Sequence, residues 1–293
     1  MMTPLLEATL ARLRCPDDLG GLSKEAGERL VCTTCERTFR IVAGNAIDLL
    51  PATPATLKVG EAIDAYIRYY SEQFPLPFEV KERPGGWGGP EAGDTKWQER
   101  RARHRAQVFS LLPSFGPDAV ICDFSGGAGF YSLELARRVG YVLHCDLSVE
   151  GVSGARYRAE QYGITNMLFL RIDYLRPPFE ASLDVALCLD TLVFGRVHER
   201  LLLTAVRKSL APGGCAIVDF HHWWHNPIRA LGVGKSFGRS YSRREAQSFL
   251  RASGSEASSF SRFHQEFDST RGLPSFASRL VPATRLIYRF DSR

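Results

Sequence analysis

The sequence predicts an α/β protein: a doubly wound, mostly parallel seven-stranded sheet preceded by a small cysteine- and turn-rich domain. Three observations carry this. From residue 119 onward, short apolar runs alternate with helix-length segments. Those runs are continuous rather than alternating, as in strands covered on both faces. Before residue 55, Cys15, Cys32 and Cys35 sit among turn residues with no comparable run. At 293 residues and 44% hydrophobic, the chain can bury one large core plus a small appended domain.

The elements follow in order. Residues 1–54 open on a helical segment, PLLEATLARL, and continue through the cysteine-rich stretch to IVAGNAIDLLP. Pro51 and Pro54 among small residues read as a linker. Residues 55–117 read as a helical lid or substrate segment. They hold EAIDAYIRYYSEQF and TKWQERRARHRAQVFSLL, split by the glycine-rich RPGGWGGPEAGD. Residues 118–293 form the sheet domain. Strands are expected at DAVICDF, YVLHCDL, NMLFLRID, SLDVALCL and GGCAIVDF, and two more in the tail at ASSFSRFHQEF and ATRLIYRF. Helices are expected at FYSLELARRVG, VSGARYRAEQYG, HERLLLTAVRKSL and SRREAQSFLRASG. Cys122, Cys145, Cys188 and Cys215 fall on strands, where a free cysteine acts as a small buried hydrophobe.

Charge excludes little. The formal net charge is +5, mild beside a typical nucleic-acid enzyme. The densest basic run, Arg100, Arg101, Arg103, His104 and Arg105, reads as the solvated face of a helix. No apolar stretch reaches the roughly 18 to 20 residues that span a bilayer. The N-terminus lacks a basic region followed by an apolar core, so a cytoplasmic protein is the expectation.

The chemistry concentrates after the first sheet-domain strand. Asp123-Phe124-Ser125-Gly126-Gly127-Ala128-Gly129 runs from that strand into a helix. Glycines let the backbone turn sharply and approach a ligand, and open α/β sheets bind ligands beyond the carboxyl ends of their strands. Asp146 ends the second strand, where a carboxylate can accept both hydroxyls of a ribose. Asp173 ends the third, where a carboxylate can take the amino group of adenine. Capping or turn formation is the alternative for both. No Gly-Lys-Ser/Thr follows the glycines, so the loop is not a phosphate-cradling P-loop. Asp123 would disfavour a pyrophosphate and suit a cofactor bearing an amine, which argues against a nicotinamide enzyme.

With these residues in place, the sequence resembles the class I S-adenosylmethionine-dependent methyltransferases, a Rossmann-like family. The resemblance covers about residues 115 to 220. Asp123, Ser125, Gly127 and Gly129 match the family's acidic-glycine motif, with Ser125 in place of the first glycine. Cys145-Asp146-Leu147-Ser148 looks like its ribose-binding element and Ile172-Asp173-Tyr174 like its adenine-binding element. Leu210-Ala211-Pro212-Gly213-Gly214 is similar to its turn before the fifth strand. The resemblance implies S-adenosylmethionine as cofactor.

The N-terminal segment resembles the zinc-ribbon domains of methyltransferase-activating partner proteins and of a bacterial rRNA guanine methyltransferase. Cys32 and Cys35 have chelating spacing. Cys15 supplies a third thiol, and Asp18 stands where a fourth cysteine is expected. Zn²⁺ accepts carboxylate oxygen, so a structural Cys₃Asp site is one reading. A metal-free ribbon and a Cys32–Cys35 disulfide are the others.

The acceptor is the least legible part. Tyr66, Tyr69 and Tyr70 could close over the cofactor or pack in a helix core. His221-His222-Trp223-Trp224-His225 follows the fifth strand at the ligand edge. There His221, His222 or His225 could act as a base, the three could bind a metal, or the segment could be a surface turn. Trp224 is a candidate acceptor contact. Asp190, at the end of the fourth strand, could face the acceptor or the methionine moiety, or cap the next helix. The sequence lacks the Asn/Asp-Pro-Pro-Tyr/Phe tetrapeptide of exocyclic-amine methyltransferases and the Pro-Cys nucleophile of cytosine-C5 enzymes. A small-molecule acceptor, flat or apolar, is the expectation. An RNA acceptor held by the ribbon and the arginine run is the alternative, and a non-catalytic scaffold the third.

Overall fold

In a computed structural model, strand burial explains the sheet. The structure describes residues 4–25, 28–53, 95–116, 118–192, 199–222, 240–263 and 283–292. Tyr66, Tyr69, Tyr70, Trp224 and His225 lie outside the described residues.

Every residue is buried in β5 (Val120–Asp123) and β7 (Met167–Ile172). Burial is nearly complete in β6 (Tyr141–Asp146) and β8 (Leu183–Cys188). Strands of this kind need cover on both faces, and a parallel sheet provides it. β9 (Leu210–His221), β10 (Ala257–Phe263) and β11 (Arg285–Asp291) complete the set. The central order is β7-β6-β5-β8-β9-β11-β10. β11 runs antiparallel to both β9 and β10. The four strand cysteines are all buried, as expected.

The helices need only brief justification. α1 (Pro4–Leu10) opens the described chain and α2 (Thr95–Phe109) follows residues 54–94. α3 (Ser132–Leu135) is a single turn of helix, shorter than the eleven-residue segment the pattern suggested. α4 (Val149–Gln161) is capped by Ser148, whose side chain accepts from the Gly151 N–H. α5 (Glu199–Ser209) precedes β9. α6 (Arg243–Ala252) begins at a reciprocal Ser242–Glu245 capping box, which satisfies two otherwise open backbone donors.

The strand count corrects the sequence-based expectation. β1 (Leu22–Glu25), β2 (Arg29–Cys32), β3 (Thr38–Val42) and β4 (Ala46–Leu49) form an antiparallel meander. β4 then pairs in parallel with β7. The sheet therefore has eleven strands, not seven. The physical reason is the exposed edge of β7: an uncovered edge offers unpaired backbone groups, and β4 takes them.

The meander also shares the core. Leu13, Leu30, Cys32, Phe39 and Ile41 belong to one buried cluster with Leu170, Ile172 and Phe179. The Arg14 N–H donates to the Pro178 carbonyl at 2.9 Å, and the Ser182 hydroxyl to the Arg12 carbonyl at 3.2 Å. Among the described residues, no helix is long and apolar enough to cross a membrane.

Candidate active site

The loop after β5 is built around close approach. The Gly126 N–H donates to the Cys145 carbonyl at 2.9 Å. A Cβ at Gly126 would lie 2.3 Å from the His144 ring, so only glycine fits. Gly129 has φ +90°, a backbone region that L side chains rarely enter. At Gly127, φ +51°, a Cβ would meet nothing within 4 Å, so the loop has open space on that side.

Asp123 ends β5 directly opposite His144 in the β5–β6 register. Its Oδ2 accepts the Ser132 hydroxyl at 2.6 Å, and that hydroxyl lies 2.8 Å from His144 Nδ1. Asp123 Oδ1 has no hydrogen-bond partner among the described residues. Burial, reinforced by the nearby Asp146 charge, pushes the Asp123 carboxyl up to about 7. Burial pushes His144 down to about 3, so its ring is neutral at ordinary pH. Ser132 and His144 were not singled out from the sequence. The available signal was His144 two residues before Asp146 on one strand.

Asp146 anchors the turn at the end of β6. Its Oδ2 accepts the Gly127 N–H at 2.9 Å and its Oδ1 the Ser148 N–H at 2.8 Å. The Ser148 hydroxyl and the Leu147 N–H also act on this carboxylate. The Leu147 N–H donates to the Tyr174 hydroxyl at 3.2 Å, which joins the candidate ribose and adenine elements. Asp173 is fully buried, and its Oδ1 accepts the Leu175 N–H at 2.9 Å. That turn-forming bond is one of the alternatives considered for it.

Ser125, the departure from the glycine motif, has a structural use. Its hydroxyl donates to the Leu189 carbonyl at 2.8 Å and also meets the Thr191 hydroxyl. The loop is thereby tied to the end of β8.

Beyond β8 lies a charged cluster. Asp190 stands at φ +58°, and its N–H donates to Asp219 Oδ1 at 2.7 Å. His221 Nε2 lies 2.8 Å from Asp190 Oδ1. Arg285 donates to Asp190 and, at 2.6 Å, to Asp219 Oδ2. Burial opposes ionisation of Asp190, but Arg285 and His221 outweigh it and hold its carboxyl well below the usual range. Asp219 is the converse: burial wins and its carboxyl is raised. The Asp190 carboxylate is taken up by His221 and Arg285; residues 193–198, which lead to the next helix, lie outside the described residues. His222 lies one residue on along the extended chain, where successive side chains face opposite ways. Its backbone pairs with Thr284. Asp190, Asp219 and His221 lie within metal-ligating distance of one another, yet the Arg285 guanidinium already supplies the cation between the two carboxylates.

α2 reaches this cluster from above. His104 is 3% exposed, its Nδ1 lies 2.6 Å from the Tyr131 hydroxyl and its Nε2 3.8 Å from Asp219 Oδ2. Burial, with the Arg285 charge, pushes it down to about 3. The guanidinium carbons of Arg101 and Arg105 lie 4.0 and 4.7 Å from the Phe130 ring centre. The basic run is therefore not wholly a solvated face. Arg137 and Arg138 stand near Tyr162 and Phe109. A groove of about 270 Å³ is lined by Ala102, Arg105, Phe130, Glu134, Arg137 and Tyr162.

Cys15, Asp18, Cys32 and Cys35 place their ligand atoms within 4.8 Å of one another. Cys15 and Cys35 sulfurs are 3.7 Å apart, and Cys32 Sγ lies 3.4 Å from Asp18 Oδ1. The Thr34 and Cys35 N–H groups both donate to Cys32 Sγ at 3.4 Å. Burial pushes the Cys15 thiol up to about 12. The Gly20 N–H holds Asp18 down at about 2.

Residues 121–214 match the family model of the methyltransferase domain. The tRNA 5-carboxymethoxyuridine methyltransferase of Escherichia coli (strain K12) is 30% identical over 141 residues. That match covers 44% of this chain and 51% of the relative, so the chain spans about half the length of the curated relatives it matches. Among solved structures, geranyl diphosphate C-methyltransferase from Streptomyces coelicolor A3(2) has a TM-score of 0.54 at 18% identity. It covers 83% of this chain and 100% of that one. A chain from the complex containing the Haloferax volcanii Trm112 methyltransferase activator has a TM-score of 0.53 at 18% identity, covering 67% and 92%. These structures share the Rossmann-like methyltransferase fold with the chain.

Proposed function

We propose that the chain is an S-adenosylmethionine-dependent methyltransferase whose acceptor is handled at the Asp190–His221 end of the sheet. The observation that carries this is the loop itself. Asp123, with a buried oxygen that has no partner among the described residues, and the Asp146 carboxylate stand on either side of the glycines. That acceptor set fits an amine at one end of a ligand and a pair of hydroxyls at the other. When bound, S-adenosylmethionine supplies an activated methyl group. Asp123 would hold its ammonium, Asp146 with Leu147 its ribose, and Asp173 with Tyr174 its adenine.

The remaining chemistry belongs to the chain. An acceptor methylated at an O–H or N–H group gives up a proton, whereas one already ionised, such as a carboxylate, needs no base. His221, with Nε2–H directed at Asp190, carries its basic lone pair on Nδ1. Arg285 keeps Asp190 ionised, so Asp190 can orient the His221 ring by accepting from its Nε2–H. A small-molecule acceptor remains the first reading. A nucleic-acid acceptor is the second, favoured by Arg101, Arg105, Arg137 and Arg138 standing over aromatic rings. Arginine–aromatic surfaces suit unpaired bases. The curated tRNA methyltransferase relative supports the same reading. Incubation with methyl-labelled S-adenosylmethionine, bulk tRNA and small aromatic or isoprenoid acceptors tests both. Label in tRNA, lost steeply as salt rises, selects the second reading. Label in a small molecule selects the first, and label in neither opposes a methyltransferase acting on these classes.

The ligand set at Cys15, Asp18, Cys32 and Cys35 fits a structural zinc, with proton release from the thiols on binding. Purified protein is expected to carry one zinc per chain. If zinc is present about a thousandfold above its dissociation constant, it contributes about 4 kcal/mol, or about 10 °C in melting temperature. Metal analysis and a thermal scan after chelation check this. Zinc-free protein with an unchanged melting temperature would contradict it.

A further inference from the structure

We infer that Asp48 and Arg171 are positioning residues for the cofactor, through which the N-terminal meander sets the shape of the Asp146–Leu147–Ser148 turn. This rests on the reading that the turn holds S-adenosylmethionine.

Asp48 on β4 is the Cα partner of Arg171 on β7, and Arg171 is the partner of Asp146 on β6. Three charged residues thus form one row across three adjacent parallel strands. Partners in register share a face of the sheet, so Arg171 stands in this row between two residues that carry carboxylates. Its bonds show which way it is held. Arg171 NH1 lies 3.3 Å from Asp48 Oδ2, while its Nε donates to the Leu147 carbonyl at 3.1 Å. Asp48 is itself fixed, because its Oδ1 accepts the Leu50 N–H at 3.1 Å.

Leu147 is therefore gripped at both backbone groups. Its carbonyl is held by Arg171 and its N–H by the Tyr174 hydroxyl. On either side, the Asp146 carboxylate and the Ser148 cap complete the turn. The Arg171 side chain is 11% exposed and that of Asp48 29%. Charge-assisted bonds in such a setting are stronger and better directed than at an open surface. Without the Asp48 charge, the nearest carboxylate in the row for Arg171 is Asp146. A guanidinium drawn there would occupy the acceptor positions that the ribose needs and would release the Leu147 carbonyl.

The test is a double-mutant cycle on the full chain, read by calorimetric titration with S-adenosylhomocysteine. Asp48→Asn is expected to weaken binding about fivefold to tenfold, with the melting temperature near that of wild type. Asp48→Glu, which restores the charge, should recover most of the affinity. In an Asp146→Asn background the same Asp48→Asn change should cost less than twofold, because both act on one turn. Wild-type affinity in Asp48→Asn would overturn the inference and leave the cofactor reading intact. So would a loss that is fully additive with Asp146→Asn. If Asp48→Asn does not fold, Arg171→Lys serves: an ammonium lacks the planar fork whose separate nitrogens hold Asp48 and the Leu147 carbonyl, and unchanged affinity would again overturn it. Absence of binding by the wild-type protein would instead remove the cofactor reading itself.

Discussion

Replacing Arg285 with methionine should destabilise the protein by about 3–5 kcal/mol, the range for removing one partner of a buried ion pair. The change is nearly volume-conserving, so the cost is electrostatic. Asp219 is fully buried at its side chain, and Arg285 is its charged partner at 2.6 Å. Asp190 would lose the cation that keeps it ionised. The melting temperature should fall by roughly 6–20 °C. The pH dependence has a definite sign. In the wild type, Asp190 is held below its unfolded value, so its stabilisation is present above the ordinary carboxylate range and is lost as pH falls through the folded value. In the variant, burial acts on Asp190 and Asp219 with only the neighbouring His221 contact opposing it, so both carboxyls rise and protonation favours the folded state. The gap between the two proteins should therefore narrow as pH falls. Thermal scans at several pH values check this. A gap that is constant with pH would show that Arg285 acts by packing rather than by charge.

Asp146→Ala should weaken S-adenosylhomocysteine binding by about tenfold to a hundredfold or more, since hydrogen bonds to a charged group contribute about 1.5–3 kcal/mol. Two effects combine. The ribose loses its acceptor, and the loop loses the link from the Gly127 N–H to Asp146 Oδ2. An affinity within twofold of wild type would show that Asp146 organises the loop without touching the ligand.

How much of this was legible in the sequence depends on how local each feature is. The order of strands and helices from residue 118 could be read because continuous apolar runs and short helical segments are properties of neighbouring residues. The Asp123–Gly129 loop and Asp146 could be read because strand ends in this topology fall at one edge. His104, Asp219 and Arg285 could not. Their meeting requires α2 to lie over the sheet and β11 to insert antiparallel beside β9, which brings Arg285 opposite His221. Nothing in the spacing of these residues announces that. The pairing of β4 with β7 was equally hidden. Ala46–Leu49 is four residues long, too short to show a period, and its partner lies more than a hundred residues away. His144 is an intermediate case, a strand-end histidine that becomes informative only once Asp123 and Gly126 are seen beside it.

The loop between Asp123 and Asp146 is proposed to bind S-adenosylmethionine. Isothermal titration of the wild-type chain with S-adenosylhomocysteine tests it most directly. One site per chain is predicted, with affinity abolished or strongly reduced in Asp146→Ala. Absence of binding heat at millimolar ligand, together with an unshifted melting temperature, would contradict it.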